Sequence, residues 1–200
     1  PIAAPALLNI SNELNTSTGS SLKFLLHLIP ILSLSSKENP LLRLKVIVEI
    51  HGSSICAAIG VTGDYFERAQ ELVKNGCNVL LIDVAHGHHV LVKNVIEELK
   101  NEFGENVEVI GGSIATKEAA TDLCEWGADA LRVGVGNGSL CETRIRTGVG
   151  LPQFTTLLDI SPVADNYGVP IISDGGCRYV GDVAKGLGAG ADSVMLGSLL

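Results

Sequence analysis

From about residue 55 the chain alternates short apolar runs with amphipathic stretches of helical period. The runs Ile55–Ile59, Val79–Asp83, Val107–Ile110, Ala130–Val133, Pro170–Ser173 and Ser193–Leu196 are the right length for strands. They lack polar alternation, so they predict strands buried on both faces, as in a parallel sheet. Between them the period predicts helices near Asp64–Asn75, Val90–Phe103, Lys117–Trp126, Thr155–Asn166 and Gly181–Leu187. Asp64 and Thr116 stand at N-cap positions.

A weak internal repeat runs through this part. Asn75-Gly-Cys-Asn-Val-Leu-Leu-Ile-Asp, Trp126-Gly-Ala-Asp-Ala-Leu-Arg-Val-Gly and Ala189-Gly-Ala-Asp-Ser-Val-Met-Leu-Gly share one grammar. A helix ends, a glycine turns the chain, a short linker follows, and a buried strand ends in a polar residue or glycine. Repeated βα units of this kind predict either a barrel or a doubly wound sheet, and spacing alone does not separate the two. Residues 1–54 are different. They hold Ser/Asn/Thr-rich stretches and no clean βα pattern, and only 42–50 reads as a strand. The chain therefore divides into an unassigned segment, 1–54, and a βα region, 55–200.

Composition narrows the function classes. The chain is 46% hydrophobic and 18% charged, enough apolar material for a core. Net charge is -8 without a Lys/Arg run, which argues against a nucleic-acid partner. The apolar stretch Leu22–Leu34 is too short and interrupted for a membrane span, and no signal-peptide pattern is evident. Five cysteines, scattered and without C-x-x-C spacing, argue against a disulfide framework or a zinc knuckle and for a reduced, cytoplasmic setting. His86, His88 and His89 lack ligand-spaced companions other than Asp83 and read as solvated loop residues.

In parallel α/β folds, ligands sit at the carboxyl ends of the strands. Those ends carry Gly60, Asp83, Gly111-Gly112-Ser113, Gly134–Cys141, Asp174-Gly175-Gly176 and Gly197-Ser198. Glycine turns after the last two strands can aim backbone N–H groups at one phosphate, and Asp174 can accept from a ribose diol. Gly134-Val-Gly-Asn-Gly-Ser-Leu-Cys-Glu-Thr-Arg lacks the spacing of a dinucleotide fingerprint. It is instead a polar glycine loop that ends in a thiol. Cys141 there can serve as a thiolate nucleophile if nearby dipoles lower its pKa. Glu142, a carboxylate beside the thiol, is expected to raise it. Cys56, Cys77 and Cys124 lie on strand or helix patterns and read as inert.

At these residues the sequence resembles the IMP dehydrogenase and GMP reductase family. The resemblance covers about 55–200. It rests on Ala57-Ala-Ile-Gly-Val-Thr, Ile82-Asp-Val-Ala-His-Gly-His, Val109-Ile-Gly-Gly, Leu131-Arg-Val-Gly-Val-Gly-Asn-Gly-Ser-Leu-Cys-Glu-Thr-Arg, Thr147-Gly-Val-Gly-Leu-Pro-Gln, Ile172-Ser-Asp-Gly-Gly and Val194-Met-Leu-Gly-Ser. It implies a TIM (β/α)8 barrel, incomplete here at about six βα units, with the matched strands as its third to eighth. It further implies that Cys141 attacks C2 of a purine nucleotide, assisted by Thr143. For an IMP dehydrogenase, NAD takes the hydride and water hydrolyses the thioimidate to XMP. For a GMP reductase, the thiol displaces ammonia and NADPH reduces the adduct to IMP. The same resemblance gives Ser139, Gly175, Gly176, Gly197 and Ser198 to the 5′-phosphate, Asp174 to the ribose and Met195 to the nucleotide. Asp83, Ser113, Arg132, Gly134 and Gly136 would face the nicotinamide cofactor. Carbonyls of Gly136, Gly138 and Cys141 would hold a monovalent cation, potassium. A homotetramer is the implied assembly. Ala57–Thr62 and Ala85–His88 lean to dehydrogenases, whereas Arg146–Gly150 and Ser173–Cys177 lean to reductases; the dehydrogenase is the primary expectation. The family's mobile flap would follow Leu200 and two strands would precede the matched region, so the chain is expected to be part of a larger barrel, and an inactive nucleotide-binding piece is the alternative to an enzyme.

Overall fold

The computed structural model describes residues 55–197 and Leu199. The strand expected over 42–50 and the boundary at residue 54 lie outside the described residues. Among the described residues six strands form one sheet: β1 (Cys56–Ile59), β2 (Val79–Ile82), β3 (Glu108–Ile114), β4 (Ala130–Val133), β5 (Ile171–Asp174) and β6 (Ser193–Met195). Their order in space is their order in sequence, and every pair is parallel. A doubly wound sheet reverses direction at a switch point. Here there is no reversal, so the sheet winds one way, as part of a (β/α) barrel does.

The helices are α1 (Tyr65–Lys74), α2 (Val90–Phe103), α3 (Lys117–Glu125), the five-residue α4 (Thr143–Thr147), α5 (Gln153–Tyr167) and α6 (Val180–Gly188); all but α4, none of whose residues is buried, cover the outer face. The alternation of side chains along each strand produces two apolar layers. Leu80, Ile82, Val109, Leu131, Val133 and Ile171 pack outward against helix residues such as Leu72, Ile96, Leu123 and Ile160. Val79, Leu81, Ile110, Ala130 and Ile172 pack together on the inner face, with Cys56 and Met195 against them. Both faces are buried, which explains the absence of polar alternation.

The internal repeat has a physical meaning. Its glycines, Gly76, Gly127 and Gly190, have φ of 94°, 92° and 100°, a conformation that side chains resist. Each closes a helix: the next residue's N–H (Cys77, Ala128, Ala191) donates back to Leu72, Leu123 or Gly186. The fourth residue of each repeat then hooks the preceding strand. Asn78 Oδ1 accepts from the Ile55 N–H at 3.0 Å, Asp129 Oδ2 from Val109 at 2.7 Å, and Asp192 Oδ2 from Ile171 at 2.7 Å. Each hook satisfies a backbone donor at the foot of a strand. Asp129 also takes both of its oxygens to Lys100 Nζ at 2.9 Å.

Three expectations are corrected. Gly111-Gly112-Ser113 is not a strand-end turn: β3 continues through it to Ile114, its pairing with β4 shifting register between Gly112 and Ile114. The runs of small residues hid this extension. Thr143 and Arg144, read as part of the glycine loop, instead open α4, which ends on Gly148 at φ 73°. Asp64 precedes α1 but its side chain makes no capping bond, whereas Thr116 Oγ1 accepts from Ala119 N–H as expected.

Asp192→Ala removes one hook and leaves the Ile171 N–H without its acceptor. The expected cost is about 1–3 kcal/mol of unfolding free energy. A urea titration that shows no fall in midpoint would refute the hook as a stabilising contact.

Candidate active site

Strand polarity places every carboxyl end at one mouth, and most of the expected site residues lie there. Gly134 follows β4 with φ 150°, and a Cβ on it would collide with the Asp174 carbonyl. The chain thus leaves β4 pressed against the end of β5, a path open only to glycine. The loop then folds onto the turn after β5. A Cβ on Gly175 would lie 2.6 Å from Asn137 Oδ1, and one on Gly176 would lie 3.2 Å from the Asn137 carbonyl. The thiol loop and the first of the two glycine turns therefore touch.

Two amides hold this contact. Gln153, the first residue of α5, donates from Nε2 to the Val133 carbonyl at 2.8 Å and to Ser173 Oγ at 3.0 Å. Its Oε1 accepts from Asn137 Nδ2, which also donates to the Asp174 carbonyl at 3.0 Å. Neither residue was among the expected site residues. Pro152 ahead of Gln153 is the signal that marks the helix start, two residues before the expected Thr155.

Within the loop the Cys141 N–H donates to the Gly138 carbonyl at 3.1 Å. The thiol is partly exposed, not sunk in the apolar layers. Its pKa is lowered by hydrogen bonds from the Thr143 hydroxyl and backbone and from the Gly136 backbone, against weaker opposition from desolvation and the Asp174 charge. The expected effect of Glu142 is corrected: its carboxylate is engaged by Arg146 one helical turn on, and the thiol pKa falls rather than rises. The other thiols move the opposite way. Burial pushes Cys56 up to about 12 and Cys124 up to about 11, and it also raises Cys77 and, with Asp182, Cys177.

An ion triad spans the mouth. Arg132 Nε and Nη2 reach Asp174 Oδ2 at 2.8 and 2.7 Å, and Nη1 reaches Asp83 Oδ1 at 2.5 Å. Burial works against the guanidinium charge, but Asp174 and Asp83 more than offset it, and its pKa is raised. Ser139 and Gly197 are exposed, and Met195 is half-buried beside the inner layer. Ser113 is buried within β3, its N–H donating to the Val84 carbonyl and its carbonyl accepting from Gly87. Ser198 lies outside the described residues. For the cation, Gly136, Gly138 and Cys141 offer carbonyl oxygens from one short loop, a donor type that suits a hard cation. Two of the three loop histidines are otherwise engaged: His88 Nε2 meets Asp122 Oδ2 at 2.7 Å beside Trp126, and His89 caps α2. Among the described residues no three His, Cys, Asp or Glu side chains cluster as metal ligands, and no helix is long and apolar enough to cross a membrane.

This combination defines a class: a (β/α) barrel sheet whose mouth carries a cysteine-bearing glycine loop packed on a glycine turn. Residues 48–200 match the IMP dehydrogenase / GMP reductase domain, and the chain belongs to that family. It is 52% identical over 144 residues to the inosine-5′-monophosphate dehydrogenase of Mycobacterium tuberculosis, covering 72% of this chain and 27% of that protein. It is 49% identical over 145 residues to the GMP reductase of Leishmania major, covering 72% and 30%. Among solved structures, the GMP reductase C318A of Trypanosoma brucei in complex with guanosine 5′-monophosphate superposes with a TM-score of 0.70 at 46% identity. That match covers 73% of this chain and 31% of the other. The chain thus spans about a third or less of the length of these relatives.

A thiol with a lowered pKa ionises at lower pH. Iodoacetamide should therefore label Cys141 at a lower pH than Cys177, and Thr143→Ala should move the Cys141 profile to higher pH. Labelling followed by peptide mass spectrometry reads both. A Cys141 profile at or above that of Cys177 rules out an activated thiol.

Proposed function

We propose that this chain forms the thiol-bearing part of a purine-nucleotide oxidoreductase that oxidises IMP to XMP with NAD. The observation that carries this reading is the lowered pKa of Cys141 in a loop packed against the Gly175-Gly176 turn. A thiolate next to an anion-binding turn is what attack on a phosphate-anchored base requires. In this reading the Gly175-Gly176 turn, with Ser139, Gly197 and Ser198, receives the 5′-phosphate. Asp174 accepts from the ribose, and Met195 packs near the nucleotide. Cys141 Sγ then bonds to C2 of the purine, and Thr143 donates to the sulfur to keep it ionised before attack. Asp83, Arg132, Gly134, Gly136 and Ser113 face the cofactor side. The nicotinamide cofactor supplies the hydride acceptor when bound. A potassium ion would be held by carbonyls of Gly136, Gly138 and Cys141, where it would fix the loop. The assembly is proposed to be a cytoplasmic homotetramer.

GMP reduction with NADPH is the second reading. It is favoured by the similarity to the reductase of Leishmania major and to the solved Trypanosoma brucei reductase bound to GMP.

Purified protein with IMP and NAD should raise absorbance at the reduced-nicotinamide band. With GMP and NADPH, a fall in that band instead selects the second reading. Cys141→Ser should lower either rate by about a thousandfold or more, because the nucleophile and its neighbours act as a unit. Retained activity in that variant points to non-redox, thiol-independent chemistry. Calorimetric binding of IMP or GMP without turnover selects a nucleotide-binding role, and absence of both binding and turnover rejects the proposal.

A further inference from the structure

Asparagine followed by glycine occurs twice in the chain, at Asn75-Gly76 and Asn137-Gly138. The pair carries a chemistry of its own. The glycine nitrogen, unhindered by a neighbouring Cβ, can fold back onto the side-chain amide carbon of the asparagine. It gives its proton to solvent base and bonds to Cγ. The Cγ–Nδ2 bond breaks and ammonia leaves. Water then opens the five-membered imide at either carbonyl, which yields aspartate or isoaspartate.

The structure separates the two pairs. Gly76 closes α1, and its N–H donates to the Val73 carbonyl at 2.9 Å. That hydrogen bond has to break before the nitrogen attacks. Gly138 lies in the thiol loop, and among the described residues its N–H has no hydrogen-bond acceptor. Both side-chain amides are held. Asn75 Nδ2 donates to the Glu71 carbonyl at 2.7 Å, and Asn137 Nδ2 donates to Gln153 Oε1 and the Asp174 carbonyl. The free nucleophile at Gly138 is therefore what distinguishes them.

The product does not fit the place that Asn137 occupies. Asn137 Nδ2 faces three acceptors: Gln153 Oε1 and the carbonyls of Asp174 and Gly175. A carboxylate there sets oxygen against oxygen, because it has no proton to donate. Asn137 also stands between the two residues whose backbone holds Cys141. The Gly136 backbone donates to the sulfur, and the Gly138 carbonyl accepts from the Cys141 N–H at 3.1 Å. A shift at position 137 reaches both, and a new negative charge near the sulfur disfavours the thiolate.

We propose that Asn137 is a self-modification site, at which deamidation frees the thiol loop from the Gly175-Gly176 turn and switches the thiol off. The switch lies in the loop itself and is independent of which nucleotide reaction the chain performs.

The test ages the purified chain in mildly alkaline buffer and follows both Asn-Gly peptides by mass spectrometry. Asn137 should convert about fivefold or more faster than Asn75, the factor set by one peptide hydrogen bond that has to break first. Equal rates, or faster conversion at Asn75, overturn the site. Asn137→Asp reproduces one product directly. Iodoacetamide at neutral pH should label its Cys141 about threefold or more slowly than in fresh wild type. A wild-type rate in that variant overturns the switch. If Asn137→Asp fails to fold, the aged wild-type chain carries the test. Trypsin, cutting after Arg132 and Arg144, leaves Asn137 and Cys141 on one peptide, so each molecule reports both events. Deamidated peptides should be under-labelled at Cys141, and equal labelling of deamidated and intact peptides overturns the proposal.

Discussion

The amide pair Asn137–Gln153 is the joint through which the rest of the mouth is organised. Gln153 grips the ends of β4 and β5 through the Val133 carbonyl and the Ser173 hydroxyl, and it passes that anchorage to Asn137. Asn137 then fixes the thiol loop to the Asp174 carbonyl. The loop has little apolar surface to bury, so polar contacts of this kind have to hold it. The loop that carries Cys141 meets the Gly175-Gly176 turn at this joint.

Charge at the mouth is arranged by the same strand ends. Asp174 offers its carbonyl to the thiol loop and its carboxylate to Arg132. Its charge opposes ionisation of Cys141, yet the hydrogen bonds from Thr143 outweigh it. The acidic balance of the whole chain says nothing of this local arrangement. Four thiols shifted upward and one shifted downward show that position within the fold separates them, since their chemistry is common.

Much of the sheet was legible in the sequence because burial on both faces writes itself as unbroken apolar runs. The run Val79–Asp83 differs from β2 by one residue, and Val90–Phe103 matches α2 at both ends. β3 was underestimated, since Gly111, Gly112 and Ser113 carry no apolar signal although they are buried. Thr143 and Arg144 read as loop, and not as the start of α4, because five residues are too few for a period to appear. Cys141 stood out by its glycine loop. Gln153 did not, because a glutamine at a helix start looks like any surface residue until its amide is seen folded back on two strand ends. The effect of Glu142 was misjudged because a partner four residues away, Arg146, absorbs its charge.

The hooks at Asn78, Asp129 and Asp192 each tie together residues only 20 to 23 positions apart. Closing so short a loop carries a small entropic penalty, and contacts of low sequence separation form early. A sheet knit this way can assemble from its amino-terminal side while the chain is still emerging from the ribosome, each new unit latching onto the last. The strand-by-strand latch also lets a neighbouring βα unit be added or exchanged without rewiring distant contacts, a route by which such arrays lengthen during evolution.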